Sequence, residues 1–260
     1  MNIVNNHIKE LLDKDFRLDG RRLDEYRKIT IERGVSSKSA EGSAKVTIGD
    51  TTVIAGVKME VAKPYPDMPN AGTMMVGVEL LPLSSPEFET GPPDIQAIEL
   101  ARACVDRGIR ESEAIPFEKL CIKEGEIVWN VLIDIYSFDD HGNLADAVGL
   151  AASAALQDTK FPKYDEKEGK VLYEEKTNKG LPLGELPATV TVLKIKDKFI
   201  VDPTTEEEKA TDARLTVSSL EDGRICALQK GGDGSLSQSD IMKMVDISLK
   251  KGKELRKLLK

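Results

Sequence analysis

Apolar and polar residues follow two different periods along the chain, and the changes of period mark its elements. Ile8, Leu11 and Leu12 recur at helical spacing and predict a short helix over Asn5 to Asp15. The period then falls to two. Arg27 to Val35, Ser43 to Ile48 and Thr52 to Val61 are rich in Val, Ile and Thr, with Gly49-Asp50 as a hairpin turn between the last two. Gly72 to Leu83 reads as another strand, ended by Pro82 and the Ser84-Ser85-Pro86 break. Pro92-Pro93-Asp94 opens a helix with Ile98, Ala101, Val105 and Ile109 on one face and Glu99, Arg102, Asp106 and Arg110 on another. Strands over Lys119 to Lys123 and Ile127 to Phe138 follow. An Ala-rich helix from Asn143 to Gln157 then carries side chains small enough to pack closely on a sheet.

Thr159 to Gly180 is charged and aperiodic, which predicts an irregular surface connector. A second series starts at Pro187, with strands Ala188 to Ile195, Lys198 to Val201, Arg214 to Ser219 and Arg224 to Leu228, the last two joined by Asp222-Gly223. Ser237 and Asp240 form an N-cap pair for a closing helix, whose predicted apolar stripe is Ile241, Val245, Leu249, Leu255, Leu258 and Leu259. Both halves therefore read as strands followed by a helix, an α+β unit used twice. The expected organisation is an N-terminal segment over 1–26, a first domain over 27–158, a connector over 159–186 and a second domain over 187–260.

Composition narrows the class. The chain has 260 residues, 40% of them hydrophobic, enough for two modest cores. No apolar run reaches the length of a membrane helix, and Met1 to Lys14 is amphipathic and charged rather than leader-like, so a soluble cytoplasmic protein is expected. Cys104, Cys121 and Cys226 lie too far apart for a CxxC site and are expected to be buried small apolar residues. His7 and His141 are isolated, so neither a metal nor a cofactor is expected. A formal charge of −8 has the wrong sign for coating nucleic acid, so any RNA contact must be local.

Specific chemistry begins with Arg17-Leu18-Asp19-Gly20-Arg21-Arg22, followed by Tyr26-Arg27-Lys28-Ile29. Asp-Gly is a turn signal, and the guanidinium groups suit forked bonds to carboxylates and backbone carbonyls, a structural or interface role. An Arg-x-Asp-Gly-Arg segment before a strand beginning Arg-x-Ile resembles the opening of RNase PH-family proteins. Ser84 to Pro93, Glu99-Leu100-Ala101-Arg102, Leu181-Pro182-Leu183, Val190-Thr191-Val192 and Val201-Asp202-Pro203-Thr204 extend the likeness over both halves. Within that family the pattern is similar to the archaeal exosome ring subunit that pairs with the catalytic one. The resemblance implies two ribosomal-protein-S5-like units and a hexameric ring. Its implied partners are a catalytic RNase PH-like subunit, RNA-binding cap proteins and single-stranded RNA.

Phosphorolysis of RNA brings an anionic nucleophile to an anionic substrate, so it requires cations and backbone N–H groups around the phosphate. Active relatives carry Asp-Gly-Gly-Thr-Arg before the Ala-rich helix; this chain has Asp140-His141-Gly142-Asn143-Leu144. The hydroxyl is missing and leucine replaces arginine, while Asp139, Asp140 and Asp146 are expected to repel phosphate. Of the aspartate pair that active relatives carry further on, Asp212 matches one; the other position falls in Glu206-Glu207-Glu208-Lys209, read as a solvated acidic loop rather than a metal site. No catalytic residue is assigned.

The remaining candidates are Arg102, Arg107 and Arg110, which the resemblance places beside a partner's cleft, where they would hold phosphates of single-stranded RNA. As ordinary helix arginines they would instead make surface pairs, Arg107 with Glu111 or Arg102 with Asp106. The leading expectation is a non-catalytic, RNA-binding ring subunit. The alternatives are an independent phosphorolytic 3′-to-5′ exoribonuclease using Asp212 and the helix arginines, and a free RNA-binding protein, which the acidic charge and the lack of an aromatic platform disfavour.

Overall fold

A computed structural model describes residues 3–260; the first two residues of the amphipathic Met1–Lys14 stretch lie outside the described residues. Helix α1 (Ile3–Asp13) buries Ile8 and Leu12 against Leu193, Ile195 and Ile200 of the second half of the chain. The first sheet runs β1 (Ile29–Arg33), β2 (Gly42–Ile48), β3 (Thr51–Ala62), β6 (Ile127–Asp139) and β4 (Thr73–Leu80), with β5 (Cys121–Lys123) pairing β6. All pairings are antiparallel except β4 with β6. Gly49, with φ of 59°, makes the β2–β3 turn that Gly49-Asp50 predicts, and β2 and β3 alternate buried and half-buried positions because helices cover one face.

The predicted first-domain helix is made of three consecutive segments: α2 (Ile95–Glu99), a π-helical stretch (Leu100–Asp106) and α3 (Arg107–Glu111). Asp94 caps it by accepting from the Ala97 N–H at 2.7 Å. Helix α4 (Leu144–Asp158) packs on β2 and β3 and also against β9 (Ala188–Ile195). Its run of Ala and Gly permits that close approach on two sides. The second sheet has the order β10 (Lys198–Val201), β9, β11 (Ala213–Ser219) and β12 (Ile225–Gly231), all antiparallel. Helix α6 (Gln238–Leu259) lies across it, so β9 is covered on both faces and is apolar nearly throughout. One apolar cluster runs from Val46 and Ile133 through α4 to Val190, Val217 and Leu255, joining the two halves.

Several expectations change. Thr159 to Gly180 is not irregular: β7 (Lys160–Asp165) and β8 (Lys170–Gly180) form an antiparallel hairpin whose mostly exposed residues have no apolar period to betray it. Glu206 to Lys209 is not a loop but lies in helix α5 (Thr205–Lys209), with Thr204 and Glu207 forming a capping box. The Ser237–Asp240 capping box forms as read, but Ile241 and Leu258 are exposed, and the buried stripe of α6 includes Met244, Ser248, Lys251, Gly252 and Arg256. Of the cysteines only Cys104 is buried; Cys121 and Cys226 are half-buried.

Candidate functional site

The arginines of the N-terminal segment turn inward. Arg17 forms a two-pronged pair with Glu207, Nε to Oε1 at 2.9 Å and Nη2 to Oε2 at 2.6 Å, and also donates to the carbonyls of Val201 and Asp202. Asp202, at the end of β10 with φ of 47°, accepts from Arg21 Nη1, from the Arg27 backbone and guanidinium, and from Asn143 Nδ2 at 2.9 Å. Burial alone would raise the pKa of Asp202, but the hydrogen bonds and charge of Arg27 hold it below the usual carboxylate range. The Arg-x-Asp-Gly-Arg segment is thus a structural clamp binding the N-terminus, the second sheet and the start of α4.

The loop Asp140 to Leu144 hangs from that clamp. Gly142 has φ of 88°, and a Cβ there would meet the Pro203 carbonyl at 2.5 Å, so only glycine fits. Its carbonyl accepts from Thr51 Oγ1 at 2.6 Å and from Arg27 Nη2 at 3.0 Å. Asn143, with φ of 62°, precedes α4, and its backbone N–H donates to Glu208 Oε1 at 2.9 Å. A helix N-terminus with free N–H groups attracts phosphate; here a carboxylate of the chain itself takes that place. Leu144 is buried, 4% exposed, and belongs to the apolar core.

Asp146 was expected to face phosphate, and the structure corrects this. It is fully buried, accepting from Tyr26 Oη at 2.6 Å, Thr191 N at 2.7 Å and Asn143 Nδ2 at 3.2 Å, and burial pushes its carboxyl up to about 7. Asp140 is occupied in its own turn, where it accepts from the Gly142 N–H at 3.0 Å, and Asp139 is exposed at the end of β6. A cleft lies beside the cradle and shares Glu208 with it. This cavity of about 120 Å³ is lined by Glu99, Asn143, Leu144, Glu208, Arg214 and Gln229, among others. Its one guanidinium, Arg214, donates to Glu99 at 2.6 Å.

Asp212 is not in the cleft. It pairs with Lys9 at 2.8 Å and accepts from the Lys196 N–H at 2.6 Å, which fastens α1 to the second sheet. Among the described residues, no group of three His, Cys, Asp or Glu side chains is placed to hold a metal. Glu207 is buried against Arg17 rather than solvated.

Arg102, Arg107 and Arg110 are not brought together. Arg107 N–H donates to Arg102 O, five residues back, and this π-helical turn rotates the two side chains apart. Arg102 is exposed, has no hydrogen-bond or ion-pair partner among the described residues, and lines a groove with Glu79, Tyr136 and Val76. Arg107 donates to Gln229 of β12, on the rim of the cleft. Arg110 pairs with Asp106 at 2.8 Å and donates to the Met74 carbonyl at 2.6 Å, so the expected pairs of Arg102 with Asp106 and Arg107 with Glu111 do not form. Tyr26 and Glu208 escaped sequence reading, since nothing local ties them to α4. Thr204-x-x-Glu207, which the reading of an acidic loop overlooked, is the capping signal that could have shown this segment to be helical.

Residues 25–162 match the RNase PH description "3′ exoribonuclease family, domain 1", and residues 185–251 match "3′ exoribonuclease family, domain 2". The chain belongs to the RNase PH family. Among its relatives in that family, the exosome complex component Rrp42 of Thermococcus gammatolerans is 48% identical over 99% of this chain and 94% of its own length. Rrp42 of Methanothermobacter thermautotrophicus is 44% identical over 97% and 93% respectively. A solved RNase PH-type chain from the Archaeoglobus fulgidus exosome with RNA bound to the active site superposes with a TM-score of 0.91 at 44% identity, covering 99% of this chain and 98% of that one. A chain of an archaeal exosome core gives 0.86 at 42% identity, covering 99% and 96%. Rice Rrp46, at 17% identity over 94% of this chain and 98% of its own, shares the fold with a TM-score of 0.70.

Proposed function

We propose that this chain is the non-catalytic RNase PH-type ring subunit of an archaeal exosome, a phosphate-dependent 3′-to-5′ exoribonuclease of RNA degradation and processing. It alternates with a catalytic RNase PH-like subunit in a hexameric cytoplasmic ring, beneath RNA-binding cap proteins, and supports an active site that the partner completes. Its two domains are residues 27–158 and 187–260, joined through 159–186 and preceded by the clamp segment 1–26.

The observation that carries this reading is the bond from the Asn143 N–H to Glu208, with Leu144 buried beside it. Inorganic phosphate approaching the start of α4 meets a carboxylate and finds no free cation, so the nucleophile of phosphorolysis has no seat. The Rrp42 names of the relatives and the exosome neighbours support the assembly. On the side facing the partner's cleft, Arg102 is the cation left free to hold an RNA phosphate and Arg107 the one held by a neutral group. Arg110 has its guanidinium engaged at home and contributes least.

The test is phosphate-dependent release of nucleoside diphosphates from single-stranded RNA, measured for the purified chain and for the chain co-assembled with its catalytic partner. Activity is expected from the ring and none from the chain alone. Robust release by the isolated chain would establish an independent exoribonuclease and overturn the proposal.

A further inference from the structure

Phe161 and Tyr164, close neighbours in β7, meet the sequence-distant Trp129 where β6 begins and the β7–β8 hairpin leaves the domain. Trp129 and Phe161 have ring centroids 5.5 Å apart, and Trp129 and Tyr164 stand edge to face at 6.2 Å. They floor an open pocket of about 320 Å³ whose rim includes Lys119, Thr177 and Lys179. The ammonium of Lys179 lies 5.3 Å from the centroid of the Phe161 ring. Among the described residues neither Lys119 nor Lys179 makes an ion pair, whereas the nearby Lys123, Lys163 and Lys170 do. Two unpaired cations thus share one aromatic-lined pocket on a chain of formal charge −8.

We propose that this pocket is a second contact for single-stranded RNA, one nucleotide wide, with the base against the half-buried Tyr164 ring, which the buried Trp129 and Phe161 back, and phosphates beside Lys119 and Lys179. The chemistry is that of sequence-tolerant strand binding: every base has a π-face, and each lysine displaces a counterion from the backbone. A protein segment would need carboxylates to match the lysines and would leave the aromatic floor to an apolar side chain. The narrow, doubly cationic rim favours the uniformly anionic strand. The pocket is separate from the cleft beside Leu144. β6 runs Ile127–Asp139 between them, so they are on the order of 35 Å apart at about 3.3 Å per residue. The choice of RNA as occupant rests on the function proposed above; the pocket itself does not.

Trp129 is the chain's one tryptophan and lines this pocket, so tryptophan emission is read at a single residue beside it. The full chain is titrated with a short oligouridylate, with oligoadenylate and with inorganic phosphate at low salt. Both oligonucleotides are expected to change Trp129 emission saturably, and phosphate to leave it unchanged. Lys119→Ala combined with Lys179→Ala is expected to weaken the RNA response at least tenfold and to flatten its dependence on log salt by about 1.4, at about 0.7 per lost phosphate contact. Tyr164→Leu should weaken it severalfold, while Lys123→Ala, which removes a lysine already paired with Glu126, should leave it unchanged.

RNA binding without a change in Trp129 emission, or an unaltered affinity in the double lysine variant, would overturn the proposal. So would an emission change produced by the catalytic partner subunit and not by RNA, which would make the pocket a protein contact. Phosphorolysis by the assembled ring is read separately, so the pocket can fail while the ring function stands, and the reverse.

Discussion

Arg17 and Glu207 lie 190 residues apart and meet as a buried two-pronged ion pair, their side chains 0% and 2% exposed. Arg17 also supplies two buried carbonyls with donors, so the pair closes the joint between the N-terminal segment and the second sheet. Arg17→Ala removes the ion-pair partner of the buried Glu207 carboxylate and the guanidinium bond to the Val201 carbonyl, while the Asp202 carbonyl keeps Arg21 Nη2, and the expected cost is about 3–5 kcal/mol. Replacing both partners with apolar residues should recover only part of this, because the Val201 carbonyl still loses its bond from Arg17 and the Thr204 N–H its bond to Glu207. Urea unfolding midpoints of the three proteins decide it.

Restoring the letters of an active phosphate cradle should not restore activity. In Asn143→Thr with Leu144→Arg, the new guanidinium enters a core position and the bridge from Asn143 to Asp202 and Asp146 is lost. A loss of several kcal/mol of stability is expected, with no phosphorolysis by the isolated chain. Diphosphate release at wild-type ring rates would refute this.

Asp146 should make stability depend on pH. Its carboxyl titrates near 7 in the folded protein against an ordinary value of 3.8 because it is buried, so the fold prefers the neutral acid. That contribution is complete below about pH 4 and disappears as the pH rises through 7, a loss on the order of 4 kcal/mol. Asp146→Asn keeps an acceptor for the Thr191 N–H and removes the titration. Its unfolding free energy should therefore fall less between pH 4 and 8 than that of the wild type, and parallel curves would exclude Asp146 as the source.

The helix arginines should separate into two kinds. Arg102→Ala should weaken RNA binding by the assembled ring severalfold and reduce its salt dependence, with stability unchanged within about 0.5 kcal/mol. Arg110→Ala removes the bond to the Met74 carbonyl and the Asp106 pair, so its main effect should be a loss of about 1–2 kcal/mol of stability. The double variant of Arg107 and Arg110 should still assemble. Filter binding across a salt series, with thermal melts of the same proteins, distinguishes these outcomes.

Local pattern alone determined the strands of both sheets, the Ala-rich α4, the two hairpin turns at Gly49 and Gly223 and the Ser237 cap, since each depends on the period or turn chemistry of neighbouring residues. The replaced cradle residues Asn143 and Leu144 were equally plain, because they are substitutions within a contiguous motif. What the tertiary structure decided is where each charge goes. Asp146, Asp212 and Glu207 are three carboxylates whose neighbours along the chain do not say which group each will meet. They became a buried acid held by Tyr26, a surface partner of Lys9 and the anchor of Arg17. The π-helical turn between Arg102 and Arg107 and the meeting of Trp129 with Phe161 and Tyr164 were hidden for the same reason. Periodicity is a property of neighbours along the chain. A carboxylate's protonation, a guanidinium's freedom and an aromatic floor depend on groups that only folding brings within reach.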